Sequence, residues 1–145
     1  MESLFLINTK KTFLILVVIF IINAVGLYNG WYHFFWFDMV LHFLGGFFMA
    51  MFLSQYLKDR LFDGWKLKNF LIILGVVSFM GVVWEFSEYL ANLAISPIIY
   101  NHYGIRTYFM GDLDDTMNDL LMDILGAGLF SFILHSFRSR KTHQA

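Results

Sequence analysis

The chain has 145 residues, of which 59% are hydrophobic, 20% aromatic and 14% charged, with a formal net charge of -1. A soluble domain carries about 25% charged residues, so this composition belongs in a bilayer. The absence of cysteine excludes disulfides, a thiol nucleophile and a thiolate metal site, and no basic run interleaved with aromatics points to nucleic acid.

The length suits one membrane domain, 1–145, and shows no internal repeat. The first span is read at Thr12 to Leu27, behind Lys10 and Lys11. It is slightly short for a bilayer unless its flanks are counted. Ala24 and Gly26 loosely fit a signal-peptide cleavage rule. The aromatic stretch from Tyr28 to Phe37 argues instead for a retained helix, with Trp31, Tyr32 and Trp36 as interfacial belt residues.

The second span, Phe37 to Tyr56, carries Asp38 and His42 at its start. A loop with Lys58, Arg60, Lys66 and Lys68 follows. The third span, Asn69 to Leu93, holds Gly81, Glu85 and Glu88 in its second half. Pro97, the only proline, is expected to end this helix and open a long loop, Ala94 to Asp114. The fourth span, Asp115 to Phe137, precedes the basic tail of Arg138, Arg140 and Lys141. The expected fold is therefore all-α, a bundle of four transmembrane helices. Basic residues gather on the side of both termini, and only Arg106 lies opposite. The positive-inside rule makes both termini cytoplasmic.

The acids divide the other way. Asp115, Asp119 and Asp123 recur every four residues and form one helical stripe, with Asp112 near it. Carboxylates in such a helix cost roughly 2.5 to 3.5 kcal/mol each on insertion scales, and they usually face a partner or a wet cavity. At about 1.5 Å rise per residue, His42 and Glu85 both lie about 24 Å above the inner boundary. Asp123 and Asp119 lie about 22 and 28 Å above it. Three helices thus place acids and a histidine in one outer-half layer. Gly45, Gly46, Gly81 and Gly126 continue the same faces and permit close packing. Helix one offers only Asn23 and reads as a supporting, lipid-facing helix.

Ordinary roles exist for several of these residues. Asp38, Asp112 or Asp115 could cap helices, His42 could be a packing histidine, and Arg106 a solvated loop charge. Capping does not account for Glu85, Asp119 and Asp123, which lie inside helices. A carboxylate cluster in low dielectric must be protonated or neutralised by a cation. The expected site is an outward-facing chamber with Asp38, His42, Glu85, Asp112, Asp115, Asp119 and Asp123 as metal ligands. One histidine, many carboxylates and no thiolate favour Mg²⁺, Mn²⁺ or Ca²⁺ over Zn²⁺. Glu85 or Glu88 is the candidate catalytic base, Thr116 a supporting residue, and Arg106 the candidate contact to an anionic substrate. The chemistry expected is a metal-dependent hydrolase or transferase on a lipid-linked or headgroup substrate, partnered by membrane lipids. A proton or cation transporter and a non-catalytic lipid-headgroup binder are the other readings.

Asp38-x-x-x-His42 with Phe43 and Gly45 or Gly46, the Trp-Glu-Phe-Ser-Glu run at Glu85, and Gly111-Asp112-x-x-Asp115-Thr116-x-x-Asp119 with Gly126-Ala127 resemble the YjdF-like family of bacterial inner-membrane proteins. The spacing of Asp38 and His42, and of Asp119, Asp123 and Gly126, is also similar to the VanZ-like group. Met39 stands where the YjdF-like pattern often has a basic residue, and Asp123 is an extra acid. The resemblance implies a small polytopic helical protein of a prokaryotic inner membrane. It implies no reaction.

Overall fold

A computed structural model describes residues 8–61, 67–107 and 109–142, with side chains as far as 136. Glu2, Asp63 and Lys66, and the side chains of Arg138, Arg140 and Lys141, lie outside it. Four helices long and apolar enough to cross a membrane are present among the described residues. They are α1 Thr9–Asn29, α2 Phe35–Tyr56, α3 Leu67–Tyr103 and α4 Leu113–Thr142. No strand occurs among the described residues. In a bilayer a helix satisfies its own backbone groups, and the apolar composition leaves little alternative.

The helix ends follow local chemistry. The Asn8 side chain caps α1 by accepting from the Lys11 backbone N–H at 2.9 Å. Gly30, at φ 71°, closes α1 in the left-handed region and turns the chain into a short 3₁₀ helix, Trp31–His33. Asp38 does not cap α2; the N-cap is Phe34, without a side-chain bond. Asp112 does cap α4, accepting from the Asp115 N–H at 3.1 Å.

The expected end of the third helix is corrected. The helix runs through Pro97 to Tyr103 and stops at Gly104, φ 69°. Proline removes one N–H bond and crowds the preceding turn, a loss that membrane helices commonly absorb. Gly104, which adopts the left-handed conformation without a Cβ penalty, is the actual terminator. Its N–H bonds the Tyr100 carbonyl at 2.8 Å. At 37 residues α3 is about 55 Å long, well beyond a hydrocarbon core of about 30 Å. The loop after it folds back on this extension. Asn92 donates to the Met110 carbonyl at 3.1 Å and accepts from the Phe109 N–H at 2.7 Å. Ser96 bonds the Thr107 carbonyl at 2.8 Å.

The tightest packing joins α2 to α4. A methyl added to Gly46 would overlap the backbone of Asp123, and one on Gly126 would overlap the Phe43 carbonyl. Ala50, Met51, Ile73, Val77, Ala127 and Phe130 form the buried core between α2, α3 and α4. Phe47 meets Phe130 edge to face at 5.5 Å. The first helix lies along α2, with Gly26 against the Phe37 ring and the Thr12 hydroxyl bonded to Gln55 at 3.1 Å. Phe13, Leu14 and Phe20 face outward on it, as expected of a lipid-facing helix.

Gly46→Ala and Gly126→Ala should each destabilise the detergent-purified protein by about 1–3 kcal/mol, the usual cost of overpacking. Gly128→Ala, where an added methyl meets nothing within 4 Å, should cause no loss. Thermal unfolding followed by circular dichroism measures all three. Equal behaviour would refute the close α2–α4 contact.

Candidate metal centre

The α2–α4 contact sets the position of His42. Asp38 and His42, four residues apart, share the face of α2 that meets α4. Asp119 and Asp123 share the opposing face of α4, and Glu85 enters from α3. All five are buried: Asp38 at 7%, His42 at 6%, Glu85 at 6%, Asp119 at 1% and Asp123 at 7% exposure. No lysine or arginine is buried with them among the described residues.

The two nitrogens of His42 have different partners. Nδ1 lies 3.4 Å from Asp123 Oδ2. Nε2 faces three further carboxylates: Asp38 Oδ1 at 3.6 Å, Glu85 Oε1 at 3.7 Å and Asp119 Oδ2 at 3.9 Å. Those three separations are too long for hydrogen bonds. Neighbouring ligands about 2.0–2.6 Å from a shared ion stand about 2.8–3.9 Å apart across tetrahedral and octahedral arrangements. Asp38, His42 and Asp119 each offer one ligand atom, and these atoms lie within 4.8 Å of one another. Asp38 Oδ1, Glu85 Oε1 and Asp119 Oδ1 are buried without a hydrogen-bond partner. Orphaned buried acceptors are uncommon and call for a cause; a cation is the group this donor set suits. With Nδ1 assigned as the protonated nitrogen, Asp123 holds the imidazole so that the Nε2 lone pair faces the acids. Carboxylate–histidine–metal sites use that arrangement.

Other expected ligands stand apart from this cluster. Asp112 is exposed and serves as the α4 cap. Asp115 is half-buried one turn above Asp119, and its carboxylate lies over Gly111. Glu88 is half-buried one turn beyond Glu85 and accepts from the Trp84 indole N–H at 2.9 Å. The buried Thr116 hydroxyl lies beside Glu85. Arg106 is exposed, with its guanidinium 5.8 Å from the centre of the Tyr100 ring.

Two contributors were illegible as site residues. The Tyr32 hydroxyl accepts from the Asn23 amide at 2.6 Å and lies near the Asp38 carboxylate. Burial first, and then the Asp38, Glu88 and Asp119 carboxylates, push the Tyr32 phenol above its ordinary pKa, so it stays a proton donor. Tyr32 looks like a belt aromatic in sequence, and Asn23 is the one polar residue between Phe13 and Leu27 of α1. Only the turn at Gly30 brings them together.

Residues 3–140 match the family described as predicted membrane protein, DUF2238. The chain belongs to that family. A relative in Thermotoga maritima, named as an uncharacterized protein, is 36% identical over 124 residues, 81% of this chain and 57% of its own length. The chain thus spans a little over half of that relative. No solved structure matches this chain. Membership of DUF2238 agrees loosely with the YjdF-like resemblance, and the comparisons do not extend to the VanZ-like group.

In this DUF2238 member, Asp119→Asn should stabilise the protein held in chelator by about 1–3 kcal/mol. The amide would remove one charge and donate to an orphaned oxygen of Asp38 or Glu85, and bonds to charged groups are worth about that much. Thermal unfolding with chelator present is the measurement. A lower unfolding temperature than wild type would show that the cluster is not short of donors.

Proposed function

We propose that this membrane protein binds a divalent cation between Asp38, His42 and Asp119, and acts as a metal-dependent hydrolase or transferase on a lipid-linked or headgroup substrate. The convergence of three buried carboxylates, each with an orphaned oxygen, on one imidazole nitrogen supports this most strongly. Mg²⁺, Mn²⁺ and Ca²⁺ suit the donor set better than Zn²⁺.

A bound divalent cation would polarise a phosphoryl or carbonyl oxygen and activate water. The chain's own groups divide the remaining work. Asp123 orients His42 through Nδ1. Tyr32, held by Asn23, stands beside Asp38. Glu85 stands at the cluster as a further ligand or base. Glu88, steadied by Trp84 and less buried, accepts the proton of the attacking water or hydroxyl. Arg106, on the loop above, meets an anionic headgroup.

The transport reading fares less well. Beneath Asp123 the packed layer of Val77, Ala127 and Phe130 is fully apolar. The buried polar residues Ser54, Asn69 and Ser131 resume only on its far side. Asp123 and Ser131 are eight residues apart, about 12 Å along α4. A proton or cation would have to cross that layer without a polar partner. The headgroup-binder reading uses the same chamber and differs only in the absence of turnover.

Lys10 and Lys11 at the start of α1, Lys58 and Arg60 after α2, and Lys68 at the start of α3 share one end of the bundle. The positive-inside rule makes that end cytoplasmic, in a prokaryotic inner membrane, with the metal centre in the outer half.

Two measurements test this reading. Glu88→Gln should lower metal-dependent turnover of a phospholipid or prenyl phosphate by about 10²–10⁴-fold, while Mn²⁺ still raises the unfolding temperature; full activity in this variant would remove Glu88 as the base. Because the chain has no cysteine, single replacements report orientation directly. A Lys58→Cys thiol should react with an impermeant maleimide only in inverted vesicles, and a His102→Cys thiol only in right-side-out cells. The opposite pattern would invert the topology.

A further inference from the structure

A cavity of about 190 Å³ opens beneath the metal centre, walled by α1, α2 and α3. Its polar residues, Asn23, His42 and Asp123, belong to the end nearest the acids. The rest of the lining is apolar or glycine, including Leu16 on α1 and Met80 on α3. Helices α1 and α3 meet across it through Phe20 and Trp84, edge to face at 5.9 Å.

The three walls agree in depth. On α1 the lining runs from Asn23 to Leu16, on α3 from Trp84 to Val77, and on α2 from Leu41, one residue before His42, to Met49. Counted from His42 on α2, each interval is seven residues, about 10 Å of helix. The cavity is therefore a slot about 10 Å long, running along the bundle from the level of His42 toward the middle of the membrane. Its length and largely apolar lining suit a hydrocarbon chain lying along the bundle. Gly45 lines the slot, and a methyl added there meets only the Asp123 carboxylate at 3.9 Å.

Two facts identify the occupant. An apolar cavity of comparable size stays dry and takes hydrocarbon in preference to water. Phe20 and Met80 at the mouth are 56% and 40% exposed, and at this depth the medium they face is the acyl region of the bilayer. A lipid entering sideways between α1 and α3 would keep its natural orientation, chain toward the midplane and headgroup toward the acids. We propose that this slot is the binding site for a single hydrocarbon chain of the lipid substrate, and that it sets the reacting headgroup over the Asp38, His42 and Asp119 centre. The inference rests on the proposed lipid chemistry of that centre.

The test uses the full chain in mild detergent and native mass spectrometry with dipalmitoyl phosphatidylglycerol, glycerol phosphate and a series of alkyl phosphates. One phospholipid should be retained per chain. Leu16→Trp and Met80→Trp, which fill the slot from different helices, should lower retention at least tenfold. Val82→Trp, on the exposed outer face of α3, should not change it. The Mn²⁺-dependent rise in unfolding temperature should survive in all three, which separates failure of the slot from failure of the metal centre. On wild-type protein alone, alkyl phosphate affinity should rise about fourfold per added methylene and level off once the slot is full. Unchanged retention in both filling variants, displacement by glycerol phosphate as effective as by the whole lipid, or no dependence on alkyl length would each overturn the proposal.

Discussion

The structure depends on one electrostatic constraint. Four carboxylates surround a single imidazole inside a bundle that buries no lysine or arginine among its described residues. Removing that much charge from water is costly unless every lone pair finds a partner. Asp123 satisfies one face of the ring. One oxygen each of Asp38, Glu85 and Asp119 is buried without a hydrogen-bond partner. A cation removes the charge excess and the missing partners together. Protonation removes the charge and supplies some donors, but it does not explain why the oxygens stand at ligand spacing around Nε2.

The packing serves that cluster. Gly46 lets the backbone of Asp123 press against α2, and Gly126 does the same one turn lower against Phe43. This contact seats Asp123 beside His42 Nδ1. Gly81 admits the Asp123 carboxylate from the side of α3. The apolar layer below then closes the chamber from the inner half of the bundle. The first helix, peripheral in packing, reaches the cluster through Asn23 and Tyr32 and also forms one wall of the slot. Its two roles explain why an otherwise lipid-facing helix carries an amide in its apolar stretch.

Much of this was legible in the sequence because a membrane helix is periodic and measured from a defined boundary. The four spans followed from apolar length. The common depth of His42, Glu85, Asp119 and Asp123 followed from helix rise, and the structure brings those residues together with Asp38. The separation of Asp112 and Asp115 from the cluster was not legible. Asp112 is the cap itself, before the helix begins, and Asp115, in the first turn, lies one turn above Asp119. Tyr32 was missed because a 3₁₀ turn after Gly30, which has no long-range periodic signal, carries it inward. The extension of α3 past Pro97 was missed because a proline weakens a helix without always ending it. Gly104, after the basic last turn at His102, was the better stop signal.

The cluster is proposed to be a cation site. Metal content of the purified protein, measured by inductively coupled plasma mass spectrometry beside an Asp119→Ala variant, tests it most directly. The account predicts at least one equivalent of a single divalent metal in the wild type and its loss in the variant. No stoichiometric metal in the wild type, after Mg²⁺, Mn²⁺, Ca²⁺ and Zn²⁺ have each been supplied, would contradict the account and leave the acids protonated or hydrogen-bonded.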